Sequence, residues 1–246
     1  MDVDVVNRFG RARLPGPELE AVAKYAAKAA WPAGFTVYQR GAPADGLFVV
    51  LRGRIILRSR VKAGRGFVPA ISLAGETFGA EGLATGAGYV TDAKADEESE
   101  TLHLSGARFR AFMREQPQHA LALLGQVMAE HAALLEKLRE LATLSVEQRV
   151  VATLARMAQS PGLVGDGGRI ALGASQYRLL CEMVGATRES VSLVLNRLAA
   201  DGLAERQGGG FTIAPIAELT ARVAPTWREG DVAVPLEITS EHRAQM

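Results

Sequence analysis

The sequence predicts an α+β protein: an antiparallel β-roll of jelly-roll type, then one long helix, then a winged helix-turn-helix. Three observations carry this. Short β-like runs broken by glycine fill the stretch from Phe35 to Leu104. An apolar stripe with 3–4 spacing follows from Gln118 to Thr143. A helix–glycine–helix pattern trailed by two strand-like runs then occupies Ala174 to Ile213.

The chain of 246 residues has room for two ordinary domains. Its 48% apolar and 22% charged residues are those of a soluble globular protein. No apolar run reaches the ~20 residues that span a bilayer, so no membrane association is expected. The start, MDVDVVNRFG, carries acids where a secretion signal needs a basic segment and a long apolar run. The single cysteine, Cys181, excludes a disulfide framework and fits a reducing cytoplasm. The histidines at 103, 119, 131 and 242 have no metal-ligand spacing, so no metal is expected. No nucleophile–base–acid grouping or phosphate-loop signature appears, which argues against an enzyme and leaves no catalytic residue to name.

Taken in order, Pro15–Ala30 is Ala-rich with helical spacing and reads as a helix, ended by Pro32 and Gly34. The strand-like runs are Phe35–Tyr38, Leu47–Leu51, Arg54–Val61, Phe67–Leu73 and Glu100–Leu104. Turn material at 41–46, Gly53, 63–66 and 74–76 separates them. Helical spacing returns at Arg108–Arg114. Pro117 then opens the long run, in which Leu124, Val127, Met128, Leu134, Leu135, Leu138, Leu141 and Ala142 line one side together with His131. Such a helix is ~39 Å long, more than a small roll can cover, so a second copy of the chain is the expected cover. His131 there is either a satisfied interface histidine or a pH-responsive one.

Ser145 and Gln148 form a capping-box pattern at the head of a helix over Ser145–Ala158. After a glycine-rich loop at 161–168, Ser175 is the candidate cap of a first reader helix that buries Leu179, Leu180, Met183 and Val184. Gly185 ends it in a tight turn. Thr187 caps a second helix whose Val191, Val194, Leu195 and Leu198 face inward. Leu203–Arg206 and Phe211–Ile213 flank Gly208–Gly210 as a wing, and Pro215–Ala224 reads as one more helix. On the second helix Arg188, Glu189 and Ser192 share the outward N-terminal face. That end of a recognition helix enters the major groove, where Arg pairs with guanine, Glu accepts from cytosine and Ser contacts base or phosphate.

Net charge is +1, and from Ala174 to Ile213 four arginines balance four acids. Phosphate neutralisation therefore contributes modestly, and the DNA reading rests on motif and shape.

The segment VGATRESVSLVLNRLAADGL closely resembles the recognition segment of the Crp–Fnr family of bacterial transcription regulators. Its core is Gly185, Thr187, Arg188, Glu189, Ser190 and Val191, and the similarity runs from about Phe35 to Ile213, including Gly41, Gly46, Gly53, Gly75 and Gly79. The resemblance implies a cyclic-nucleotide-binding-like domain over residues 1–116, with its β-roll at about 35–104. It further implies a dimerisation helix at 117–144 and a winged helix-turn-helix at 145–224, leaving 225–246 as a polar tail. It implies a homodimer on double-stranded DNA in the bacterial cytoplasm, at the nucleoid, that contacts RNA polymerase. Arg188, Glu189 and Ser192 would read bases, while Ser175, Gln176 and Thr187 would contact phosphates. Leu193 departs from the family, which often has Arg or Lys there.

Nucleotide-binding members hold the cyclic phosphate with a Gly-Glu pair, the amides of a short helix, and an Arg-Ser pair just after it. Here Gly79 remains, but the acid sits at Glu81, two residues on, while Val90 and Thr91 take the Arg and Ser positions. The polar pair that contacts adenine falls on Leu134 and Leu135. The candidate effector pocket of Gly79, Glu81, Thr91, Leu134 and Leu135 thus disfavours a cyclic nucleotide, and no cofactor is expected. Iron–sulfur sensing lacks its N-terminal cysteines; His103, the roll's histidine, reads as structural, and Cys181 as a small packed residue. The alternatives are a regulator that depends on cAMP or another small ligand, and a ligand-binding module that does not touch DNA.

Overall fold

The computed structural model describes residues 13–60, 66–84, 86, 88–158, 164–208 and 210–223. The tail at 225–246, residues 161–163 of the glycine-rich loop, and residues 63–65 and 209 of the two predicted turns lie outside them.

Helix α1 (Gly16–Ala23) starts on prolyl geometry at Pro15 and ends well short of the predicted helix. Residues Ala27–Trp31 form strand β1 instead, paired antiparallel with β8 (Ser99–Ser105). Alanine favours helix, but the free edge of β8 supplies a full ladder of partners, and pairing overrides that preference. The roll therefore begins at β1, ahead of Phe35.

Between these two strands the chain forms β2 (Thr36–Tyr38), β3 (Gly46–Arg52), β4 (Arg54–Arg60), β5 (Gly66–Leu73), β6 (Thr77–Phe78), a single 3₁₀ turn (Ala80–Leu83) and β7 (Asp92–Ala95). Two four-stranded antiparallel sheets result, ordered β1-β8-β3-β6 and β2-β7-β4-β5. Strand β3 displays the logic of the roll. Its side chains alternate, so Phe48 and Val50 enter the core between the sheets while Leu47 and Val49 pack against helices. That double burial explains the unbroken apolar run LFVVL.

Helix α2 (Gly106–Glu115) is capped by Ser105 and anchors its Phe112 under β3. Helix α3 (Pro117–Thr143) spans 27 residues, about 40 Å. Its burial is inverted for a helix of an isolated domain: Gln126, Glu130 and Glu140 are buried, whereas Leu121, Leu124, Met128, Leu134, Leu135 and Leu138 are exposed. Glu130 accepts a hydrogen bond from Thr77 at 3.1 Å. Glu140, 1% exposed, is gripped by both guanidinium nitrogens of Arg156 and by Lys137.

Helix α4 (Val146–Met157) carries the predicted capping box: the Ser145 hydroxyl accepts from Gln148 N–H while Gln148 Oε1 accepts from Ser145 N–H. Three helices, α5 (Ala174–Val184), α6 (Arg188–Ala200) and α7 (Ile216–Val223), then pack with α4 over a sheet of β10 (Ala204–Gln207), β11 (Gly210–Ile213) and β9 (Ile170–Leu172). Strand β9 was not foreseen. At three residues it is too short for a period, and its pairing with β11 defines it. Among the described residues, no helix is long and apolar enough to cross a membrane.

Candidate nucleic-acid interface

Helix α5 is capped at Gly173 rather than Ser175. Ser175 lies exposed in the first turn, its hydroxyl donating to Gln176 Oε1 at 2.9 Å. The helix buries Leu180, Cys181 and Val184 in the shared core. Burial pushes the Cys181 thiol above its ordinary pKa, as expected of a packed apolar neighbour.

The turn into α6 depends on Gly185 for two reasons. Its φ of +66° is left-handed. In addition, a Cβ there would lie 2.9 Å from Leu141 Cδ2 and 3.4 Å from a Phe67 ring carbon. The reader turn is thus seated against both α3 and β5. Beside it, Arg58 of β4 donates to Glu182 of α5 at 2.7 Å, in a part-buried ion pair.

Thr187 caps α6 as the sequence indicates, accepting from Ser190 N–H at 3.2 Å. Val191, Val194, Leu195 and Leu198 are buried. The opposite face presents Arg188 and Glu189, both exposed, then half-buried Ser192, then exposed Leu193, Asn196 and Arg197. Tyr177 of α5 braces the front of this face. Its hydroxyl donates to the Arg188 carbonyl at 3.3 Å, and the Arg188 guanidinium lies 5.8 Å from its ring centroid. Sequence reasoning missed Tyr177, since nothing in the local pattern places its ring beside a residue in the next helix. In the wing, Arg206 lies over the Phe211 ring. Ser175, Gln176, Thr187, Arg188, Glu189 and Ser192 thus stand on the two helices flanking one turn.

The roll brings Glu81 and Val90 together: Glu81 Oε1 accepts from the Val90 N–H at 3.1 Å. Gly79, at φ +72°, sits under the rings of Tyr38, Phe48 and Tyr89, where a Cβ would come within 3.2–3.3 Å of each. Tyr38 and Tyr89 stack at 3.7 Å between centroids, and Phe48 and Phe78 at 4.9 Å. Burial, reinforced by the Glu81 charge, holds the Tyr38 phenol well above its ordinary pKa. Thr91 is buried, Asp92 accepts from Arg40 N–H, and Leu134 and Leu135 lie on the exposed stripe of α3. The Val90 amide is already bonded to a carboxylate, no arginine stands at position 90, and the two leucines offer a base no hydrogen bond.

A β-roll joined by a long helix to a winged helix-turn-helix with a polar recognition face defines a DNA-binding transcription regulator of two domains. Residues 29–116 match the cyclic nucleotide-binding domain family, and residues 148–222 match the Crp-like helix-turn-helix domain family. The chain is 25% identical over 181 residues to the cAMP-activated global transcriptional regulator CRP of Haemophilus influenzae, covering 72% of this chain and 80% of that protein. It is 28% identical over 180 residues to the cAMP-activated global regulator Vfr of Pseudomonas aeruginosa, covering 70% and 82%. Among solved structures, the c-di-GMP-responsive regulator CLP of Xanthomonas campestris superposes with a TM-score of 0.70 at 23% identity, over 81% of this chain and 99% of that one. The protein belongs to the Crp–Fnr family of transcription regulators, a family of DNA-binding proteins and not of enzymes.

Proposed function

We propose that the protein is a homodimeric, sequence-specific regulator whose DNA binding is independent of cAMP, with α3 as the dimerisation helix and Arg188, Glu189 and Ser192 as base-reading residues. Ser175, Gln176 and Thr187, at the fronts of α5 and α6, are the phosphate contacts. Gly79, Glu81 and Thr91, with Leu134 and Leu135, mark a pocket that no longer takes a cyclic nucleotide. The dimer occupies a two-fold-related site with half-sites about one DNA turn, ~34 Å, apart, and works with RNA polymerase in the bacterial cytoplasm.

The observation that carries cAMP independence is the Glu81–Val90 hydrogen bond. The protein's own carboxylate serves a backbone amide in the segment where the family's relatives hold the phosphate, so that amide is not free to meet an incoming anion. Dimerisation is supported by the inverted burial of α3. A row of leucines and one methionine facing water from Leu121 to Leu138, over about 26 Å, is a seam awaiting a partner, while the acids on its inner side are satisfied within the chain.

A mobility-shift assay on an operator selected from random duplex tests the reader. Arg188→Ala and Glu189→Ala should each abolish discrimination between operator and unrelated DNA, and undiminished specific binding by both contradicts the assignment. The names of the relatives, cAMP-activated regulators, favour a second reading in which an effector is required. Cyclic-nucleotide titration separates the two.

A further inference from the structure

The polar face of α6 carries one large exposed apolar residue. Leu193 is 60% exposed, and the exposed positions around it on α6 are Arg188, Glu189, Asn196 and Arg197. An isolated surface leucine ordinarily needs no explanation. This one stands in the middle of the surface assigned to the major groove, one helical turn beyond Glu189. It cannot donate or accept a hydrogen bond, so any base edge it meets must present carbon. Of the four bases, only thymine presents a methyl group in the major groove.

We infer that Leu193 is a specificity-determining residue that reads the 5-methyl group of a thymine in each half-site. The inference rests on the reader-face assignment above. Four residues along an α-helix advance ~6 Å, against a base step of ~3.4 Å. The thymine therefore lies one or two base pairs from the one Glu189 contacts. The contact also fits the electrostatics. The reader is charge-neutral from Ala174 to Ile213, so phosphate attraction is modest and an apolar base contact, insensitive to salt, makes up a larger share of the affinity than in a basic reader.

Replacing thymine by deoxyuridine removes only that methyl. Binding of the full-length protein to a selected operator is measured by fluorescence anisotropy, with each thymine exchanged in turn. At one thymine per half-site the exchange should weaken binding about fourfold, the worth of one buried methyl-sized group, and about fifteenfold when both half-sites are changed. In Leu193→Ala, whose side chain is too short to reach, the same exchanges should be silent. The variant's affinity should fall without altering the slope of log Kd against log salt, since no phosphate-neutralising charge is removed.

The inference is overturned if no thymine is sensitive, if sensitivity persists in Leu193→Ala, or if Leu193→Ala impairs transcription while leaving operator affinity and uracil sensitivity intact, which would make Leu193 a protein contact. Specific binding left intact by both Arg188→Ala and Glu189→Ala sinks the reader assignment itself. Specificity lost in those variants, with uracil still silent in the wild type, sinks only the role of Leu193.

Discussion

Replacing Leu135 and Leu138 together by alanine should separate the protomers without unfolding them. Leu135 is 54% exposed and Leu138 63% exposed on the isolated chain, so together they hold slightly more than one leucine's worth of open surface per protomer. Burying a whole leucine contributes roughly 1.5–3 kcal/mol, and a two-fold seam counts each twice. Alanine keeps part of that surface, which leaves a loss of about 3 kcal/mol, or roughly two orders of magnitude in the dimer Kd. Neither side chain belongs to a core cluster of its own chain, so the variant's circular dichroism should match the wild type. Sedimentation velocity across a concentration series reads the result. The reasoning is refuted if the double variant dissociates at the same concentration as the wild type, or if the wild type is monomeric throughout.

Two further outcomes follow from the join between α3 and the DNA-binding domain, and a third from the cap of α6. Glu140→Ala leaves Arg156 and Lys137 without their buried carboxylate and should cost about 3–5 kcal/mol in urea unfolding; a loss under 1 kcal/mol would contradict the buried pair. Burial, with the nearby Arg156 charge, pushes the Lys137 ammonium down from 10.5 to about 8, against the pull of Glu140. Between about pH 8 and 10.5 the unfolded chain therefore holds a proton that the folded one has released, and the contribution of Lys137 to stability rises with pH across that window. Below pH 8 the folded chain bears the cost of the buried charge. Lys137→Met should be more stable there, by at most ~3 kcal/mol, and the gap should close by about pH 10.5; a pH-independent gap is the contrary result. Thr187→Ala removes the α6 cap and should lower stability by about 1 kcal/mol, read in the same unfolding assay.

The reader was legible because its information is local. Gly185, Thr187 and the inward residues of α6 specify turn, cap and core face within a dozen positions, and the structure places each as the pattern indicates. Most strands of the roll were legible for the same reason, as apolar runs between glycines. What escaped depends on distant partners. Ala27–Trp31 has a helix-forming composition and becomes a strand only because β8 offers an edge 70 residues on. Ser175 loses its predicted capping role because the chain enters α5 two residues earlier, at Gly173. The ring of Tyr177 against Arg188, the Arg58–Glu182 ion pair and the Glu81–Val90 bond each join residues whose contact no spacing rule supplies. The lost arginine at position 90 was readable from the sequence, but the carboxylate bonded to that same residue's amide was not.

The most direct test of cAMP independence is a titration of operator DNA with purified full-length protein in the presence and absence of saturating cAMP, at fixed salt. The account predicts one and the same operator Kd in both series. A Kd that tightens tenfold or more with cAMP would contradict it.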